Sequence, residues 1–298
     1  MLVVCVPILA LVLLLSVVLR EPVEPVYRGK KLSEWAEQYT LRRSVDEESE
    51  RAILAIGTTG LPCMLRWLPQ ARDRASERKS KWLVRIWRLP RPIQAMFLRL
   101  PGVRNWNWQS RPTTPSLRAL ACFEILKKDG APALPALVQF AKANEDSETA
   151  LSAIIAMSLI GADAVPMLSA MITNRECANR PRAAAALGEI REAGERHEVV
   201  AALLDCFKEK DIALARCAGD ALGRLAVEPE LAIPALIEGL RDPNLRFTCI
   251  RSLGRFGPAA KAAVIPLQQA LHEPNQPFTN EILETLAALT SELPHPEQ

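Results

Sequence analysis

Three histidines, two of them followed by glutamate, are the residues of this chain best suited to holding a metal or moving a proton. His197-Glu198 and His272-Glu273 each set an imidazole beside a carboxylate, a donor pair that suits a transition metal. The sequence places one pair at the start of a helix and the other at the end of one, and His295 stands alone in a proline-rich tail. Seven cysteines, Cys5, Cys63, Cys122, Cys177, Cys206, Cys217 and Cys249, include no C-x-x-C pair, and most sit among apolar helical neighbours. They read as buried reduced thiols rather than a zinc site or a disulfide frame, which leans toward a reducing compartment. Neither a Gly-rich phosphate loop nor a serine elbow occurs. The expectation is no catalytic residue, no metal and no cofactor.

Charge gives a different kind of candidate. The net charge is +3, but Ala71 to Pro112 holds nine Arg and two Lys against Asp73 and Glu77, a local excess of +9. Four of the six tryptophans lie in the same stretch. Trp82, Leu83, Ile86 and Trp87 fall on one side of a helical spacing, with Lys81, Arg85 and Arg88 on the other. Pro90 and Pro92 end that pattern, a second short helix fits Ile93 to Leu100, and Arg104 to Trp108 reads as loop. The candidate binding surface is Trp82, Arg85, Trp87, Arg88, Arg91, Arg104, Trp106 and Trp108. Arginine and tryptophan together suit an anionic lipid surface, a hot spot for an acidic protein, or phosphates and stacked bases. Equally, the tryptophans could pack on the first structural unit and leave the arginines as a solvated face. A membrane anchor argues against nucleic acid.

The elements that must position these residues show themselves as a repeat. A hydrophobic-small pair returns about every 32 residues, at Ile56, Ile125, Met157, Leu187, Leu222 and Leu253. Each is followed by a second mark, at Pro62, Pro135, Pro166, Val200, Pro234 and Pro266, which opens another apolar stretch. Each unit reads as two short helices. Leu214, Ala218, Ala221, Leu222 and Leu225 line one side of a first helix, and Ile233, Leu236, Ile237 and Leu240 line a second, with Pro234 expected in its first turn. The 73-residue step from Pro62 to Pro135 breaks the rhythm, so residues 70–116 read as a basic, Trp-rich insertion or degenerate repeat. No segment alternates with period two over a strand's length, and sheet is not expected.

The strings Ala186–Ile190, Ala221–Ala226 and Ser252–Gly257 resemble HEAT repeats, in particular the short bacterial HEAT-like kind, across roughly Glu48 to Glu273. That resemblance implies an all-α solenoid of about six helical hairpins. It also implies that Arg118, Arg180 and Arg246, each seven residues before a marker, act with Asp242 as a structural ladder between units. Glu24 to Trp35 is similar to the lead-in of membrane-anchored bacterial HEAT proteins. The two His-Glu pairs resemble the ligands of di-iron hydroxylases on HEAT-like repeats, although two non-equivalent pairs do not reproduce that arrangement. HEAT-like lyases and glycosylases supply the enzymatic alternative.

Leu2 to Leu19 carries no charge and only Ser16 as a polar residue, long enough at about 1.5 Å per residue to span a bilayer core. No basic residue precedes it and no small-x-small exit follows, so an uncleaved anchor over residues 1–20 is preferred to a signal peptide. Arg20, Arg28, Lys30 and Lys31 favour a cytoplasmic soluble part. The likeness to anchored proteins with exported repeats favours the opposite side, and the side stays open. Residues 21–31 then form an extended linker, Leu32 to Thr40 a helix with Trp35 and Tyr39 one turn apart, and residues 277–291 a capping helix with Phe278, Ile282, Leu286 and Leu289 inside. The composite expectation is a non-catalytic scaffold on residues 32–298, tethered to a membrane through residues 2–19, with a protein partner of unknown identity. An accessory enzyme is the alternative.

Overall fold

The computed structural model describes residues 23–42, 46–69, 113–142, 147–193, 197–272 and 277–290. Among them the chain is mostly helical and compatible with an all-α repeat fold. Helix α1 (Leu32–Arg42) leads into six helical pairs: α2 (Glu47–Ile56) with α3 (Leu61–Trp67), α4 (Pro115–Leu126) with α5 (Leu134–Lys142), α6 (Ser147–Ile160) with α7 (Val165–Thr173), α8 (Arg180–Glu189) with α9 (His197–Phe207), α10 (Ile212–Leu225) with α11 (Pro229–Gly239), and α12 (Arg246–Phe256) with α13 (Val264–Leu271). A last helix, α14 (Thr279–Thr290), follows. From α4 to α14 the first helices pack on one another in succession, with each second helix lodged against the next first helix. The buried residues form one continuous cluster from Leu32 to Leu289.

Several first helices end on a residue with positive φ: Gly57 (55°), Lys127 (48°), Gly161 (92°), Ala226 (49°) and Gly257 (55°). Four residues before each stands a side chain with at most 1% exposure, namely Ile53, Phe123, Met157, Leu222 and Leu253. This fixes the register that the sequence pattern missed twice. Ile56 and Ile125 are not the equivalents of Met157 and Leu253; Ile53 and Phe123 are. At Ile56 this arose because Gly57 mimics the in-helix glycines Gly188, Gly223 and Gly254, whereas it is a turn glycine placed like Gly257; Ile125 is followed by Leu126, not by a glycine.

The in-helix glycines have a separate cause. A Cβ on Gly223 would lie 2.5 Å from the Ser252 Cβ and 2.6 Å from its Cα, and one on Gly188 would lie 2.7 Å from the Ala221 Cα. On Gly254 it would meet only Thr285 Oγ1, at 3.2 Å. Each glycine is therefore the place where the next first helix crosses. Ser252 Oγ donates to the Gly219 carbonyl at 2.8 Å, and Thr285 Oγ1 donates to that of Ile250 at 3.2 Å, so these crossings also satisfy buried hydroxyls.

Two further expectations are corrected. Residues 23–31 are not simply extended: Val26–Tyr27 (β1) and Lys30–Lys31 (β2) pair antiparallel around Arg28 and Gly29, which both have φ above zero. That is the backbone demanded by a two-residue hairpin, and strands of two residues are too short to show alternation. The hairpin is tied to α1 by Trp35 Nε1 donating to the Tyr27 carbonyl (3.2 Å), Lys30 Nζ over the Trp35 ring (4.3 Å) and Lys31 N donating to Glu34 Oε2 (2.8 Å). Pro234 lies inside α11 rather than in its first turn, because Pro229 opens that helix five residues earlier. Pro62 and Pro166 do stand in the opening turns of α3 and α7. At the far end α14 buries Ile282, Thr285 and Leu289, and Phe278 meets Phe247 at 5.2 Å between ring centres. No described helix is long and apolar enough to cross a membrane; residues 1–22, where the sequence places an anchor, lie outside the described residues.

Candidate functional site

The register gives the first helices an outward row, the residues six before, two before and two after the buried reference, except that in α4 only Leu117 is exposed while Ala121 and Ile125 are buried. In α10 the row is Arg216, Asp220 and Arg224, and in α12 it is Phe247, Arg251 and Arg255. These charges pair across helices. Asp220 receives Arg224 Nε (2.8 Å), Arg255 Nη1 (2.8 Å) and Arg251 Nη2 (3.3 Å), while Arg224 also reaches Glu189 on α8. Burial pushes the Asp220 carboxyl up, yet the hydrogen bond from Arg224 and the charge of Arg255 outweigh it and leave the carboxyl below its ordinary value.

In α6 the same row reads Leu151, Ile155 and Leu159. Leu151 and Ile155 are 39% and 37% exposed, and Leu117 on the adjacent α4 is 50% exposed. Tyr39, Leu117, Leu120 and Leu159 line a shallow cleft of about 380 Å³ there, with Glu124 beside them. Desolvation, with Glu124 and Glu50 nearby, pushes the Tyr39 phenol above its ordinary value. A helix that is apolar on all sides normally has neighbours on all sides; α6 has none described over this stripe. The signal was legible in Ser147–Ile160, whose run contains no polar face after Glu148, but the repeat pattern drew attention only to its buried side.

A larger recess of about 480 Å³ lies between α5 and α7, lined by Val138, Met167, Met171 and Cys177. Its amide is already engaged: Asn179 Nδ2 donates to the Ala141 carbonyl at 2.9 Å and Oδ1 accepts from Arg182 Nη1 at 2.7 Å. Lys142 and Glu176 line it too, beside Cys177.

The ladder residues divide into two kinds. Arg180 Nε donates to the Ile172 carbonyl at the end of α7 (2.7 Å), and its two terminal nitrogens grip Glu209 at 2.6 and 2.9 Å. Arg246 Nε likewise donates to the Leu240 carbonyl beyond α11 (2.8 Å). Both stand seven residues before a reference leucine. Arg118 stands five before Phe123, and correspondingly it does something else, donating to Thr113 Oγ1 at 3.0 Å and pairing with Glu37 on α1 at 3.3 Å. Asp242 Oδ1 accepts the Asn244 backbone N–H at 2.8 Å, closing its own turn.

His197 Nδ1 lies 2.9 Å from both oxygens of Glu228, and His272 Nδ1 lies 2.7 Å from the Gln268 carbonyl. Among the described residues no group of three or more His, Cys, Asp or Glu side chains is placed to hold a metal. Cys63, Cys122, Cys206 and Cys249 are buried free thiols, and desolvation pushes Cys249 up to about 12, far from a reactive thiolate. Trp82, Arg85, Trp87, Arg88, Arg91, Arg104, Trp106 and Trp108 all lie in residues 70–112, outside the described residues, as do Glu273 and His295. Of residues 113–116, grouped with that basic segment in the sequence, Pro115 and Ser116 open α4 and Thr114 caps it, its Oγ1 accepting the Leu117 N–H.

No protein-family model matches the chain, and no curated protein matches it. Among solved structures it is similar to human deoxyhypusine hydroxylase in complex with glycerol, at 18% identity, covering 86% of this chain and 95% of that one, with a TM-score of 0.35. That likeness carries no argument about fold or activity.

Proposed function

We propose that this chain is a non-catalytic binding or scaffolding module of the HEAT-like solenoid kind, held at a membrane by residues 2–19, resembling bacterial membrane-anchored HEAT proteins. The observation that carries the reading is the outward row of α4 and α6. Where α10 and α12 spend aspartate and arginine on that row, α4 and α6 present Leu117, Leu151 and Ile155 to the surface. Exposed apolar area grouped in this way marks a place of contact rather than of solvation. The basic, Trp-rich residues 70–112 join the chain directly before α4 and supply the second half of the contact surface, toward an acidic protein partner. Nucleic acid is disfavoured by the anchor.

Deletion of Met1 to Leu19 is expected to move the protein from the membrane fraction to the soluble fraction. Full-length material whose N-terminus is found near Arg20 or Glu21 would show a cleaved signal instead and remove the tether. A purified full chain that carries a stoichiometric metal or organic cofactor would favour the accessory-enzyme alternative over the scaffold.

A further inference from the structure

We infer that the outward rows of α10 and α12 take an acidic segment of a partner protein in extended form, its carboxylates meeting Arg216, Arg224, Arg251 and Arg255. This goes beyond the contact assigned to α4, α6 and residues 70–112 and concerns the other end of the stack.

Charge is the first observation. Four arginines on these two rows stand against two carboxylates, Asp220 and Glu189, so positive charge remains in excess. Unused donors are the second. A guanidinium offers five N–H groups. Among the described residues Arg251 is tied to Asp220 through Nη2 alone, at 3.3 Å, and Arg255 through Nη1 alone, which serves the Asp220 carboxylate at 2.8 Å and its carbonyl at 3.3 Å. Asp220 therefore acts as a strut that fixes three guanidiniums side by side without consuming their forks. The side chains of Arg224, Arg251 and Arg255 stay 37%, 45% and 32% exposed, and Arg216 is exposed one turn before Asp220. Such forks suit planar carboxylates, which they can meet through two parallel bonds.

Spacing is the third observation, and it selects the form of the partner. Residues four apart on one helix lie about 6 Å apart along its axis. The axes of α10 and α12 are drawn closer than the usual separation of about 8–10 Å, because Gly223 admits Ser252 against its backbone. In an extended chain, side chains two residues apart share a face about 7 Å apart. Acidic residues at alternate positions thus bring one carboxylate to each arginine. A single-stranded nucleic acid would need aromatic faces on which its bases could stack. The one aromatic residue of these rows, Phe247, is already engaged, with the Arg251 Cζ 5.6 Å from its ring centre and the Phe278 ring 5.2 Å away.

The probe is a synthetic peptide of alternating glutamate and serine with a photo-crosslinking p-benzoylphenylalanine at its centre, irradiated with the full chain; the same peptide with glutamine in place of glutamate is the control. The crosslink should map to α10 or α12 and weaken as salt rises. Arg216→Gln/Arg251→Gln should lower the yield there by about tenfold, through the loss of two exposed charge contacts. Arg241→Gln/Lys261→Gln, an equal loss of charge at exposed positions off these rows, should leave it near wild type. Arg224 and Arg255 still pair with Asp220 in the first variant, so its helicity should match wild type, and Arg251→Gln alone gives a second reading should the pair of changes unsettle α10. Equal yield from the glutamine peptide, an equal fall in the off-row variant, or displacement of the peptide by a single-stranded oligonucleotide at lower concentration would overturn the inference. A crosslink confined to residues 70–112 would overturn it too, while leaving the proposed function standing. No crosslink at either place would overturn both.

Discussion

Gly223→Val is expected to cost the fold about 3 kcal/mol, near the upper end of overpacking penalties, because the new side chain would meet backbone rather than a movable tip. Its Cβ position lies 2.5 Å from the Ser252 Cβ and 2.6 Å from its Cα, so α10 and α12 must separate to admit it. Separation would also break the Ser252 Oγ bond to the Gly219 carbonyl and leave both groups buried without partners. Gly188→Val should behave similarly against Ala221. Gly254→Ala should cost much less, since only the Thr285 hydroxyl at 3.2 Å need shift. Urea unfolding followed by circular dichroism would rank the three. If Gly223→Val moves the midpoint no further than Gly254→Ala, close approach at Gly223 is not what holds the first helices together.

Arg180→Met is expected to cost about 1–3 kcal/mol, between the scales of exposed and buried pairs, because Arg180 is buried while Glu209 keeps part of its side chain in water. The residue is 9% exposed and makes three ties at once: the Ile172 carbonyl behind it and both oxygens of Glu209 ahead. Arg180→Lys should recover little, because an ammonium cannot reproduce the fork that meets Glu209 while a third nitrogen meets the carbonyl. The hydrogen bond from Arg180 holds the Glu209 carboxyl below its ordinary value, against an opposing effect of desolvation. A carboxyl whose folded pKa lies below its unfolded one stabilises the fold above the unfolded pKa and loses that contribution as pH falls through the folded one. The gap between wild type and Arg180→Met should therefore be full above pH 4.5, the ordinary value for glutamate, and narrow as acid is added below it. A gap independent of pH from 6 down to about 3 would mean that the Glu209 pair contributes nothing.

Helicity and the hairpin rhythm were legible because both rest on periodic burial, which survives in sequence wherever Leu, Ile and Ala recur at helical spacing. Register was less so. A glycine can mark either a positive-φ turn, as at Gly57, or a helix crossing, as at Gly223, and the letter alone does not distinguish them. That ambiguity moved the first marker, Ile56; the second, Ile125, is followed by Leu126, and the two-residue slip from Phe123 to Ile125 made Arg118 look equivalent to Arg180, although its partner Glu37 lies on α1 instead of at a helix end. The hairpin at Val26–Lys31 escaped notice because two-residue strands leave no alternation, while Arg28 does not announce its positive φ. Asp220 as a meeting point of three arginines depends on pairs 4, 31 and 35 residues apart, which only the stacking of α10 on α12 brings together. The apolar row of α6 was present in the letters and became meaningful only when α10 and α12 proved to carry charge at the same positions.

In the proposed function a stacked helical scaffold presents the basic segment to an anionic partner. The direct measurement is co-sedimentation of the protein, wild type and Arg85→Glu/Arg88→Glu/Arg91→Glu, with an acidic protein such as a polyglutamate-rich carrier and with anionic vesicles, over a series of salt concentrations. Binding of the wild type to the acidic protein should be salt-sensitive and lost in the triple variant, with helicity and melting temperature nearly unchanged because surface charges contribute little to stability. Wild-type protein that binds neither target at low salt, or a triple variant that binds as well as wild type, would contradict it.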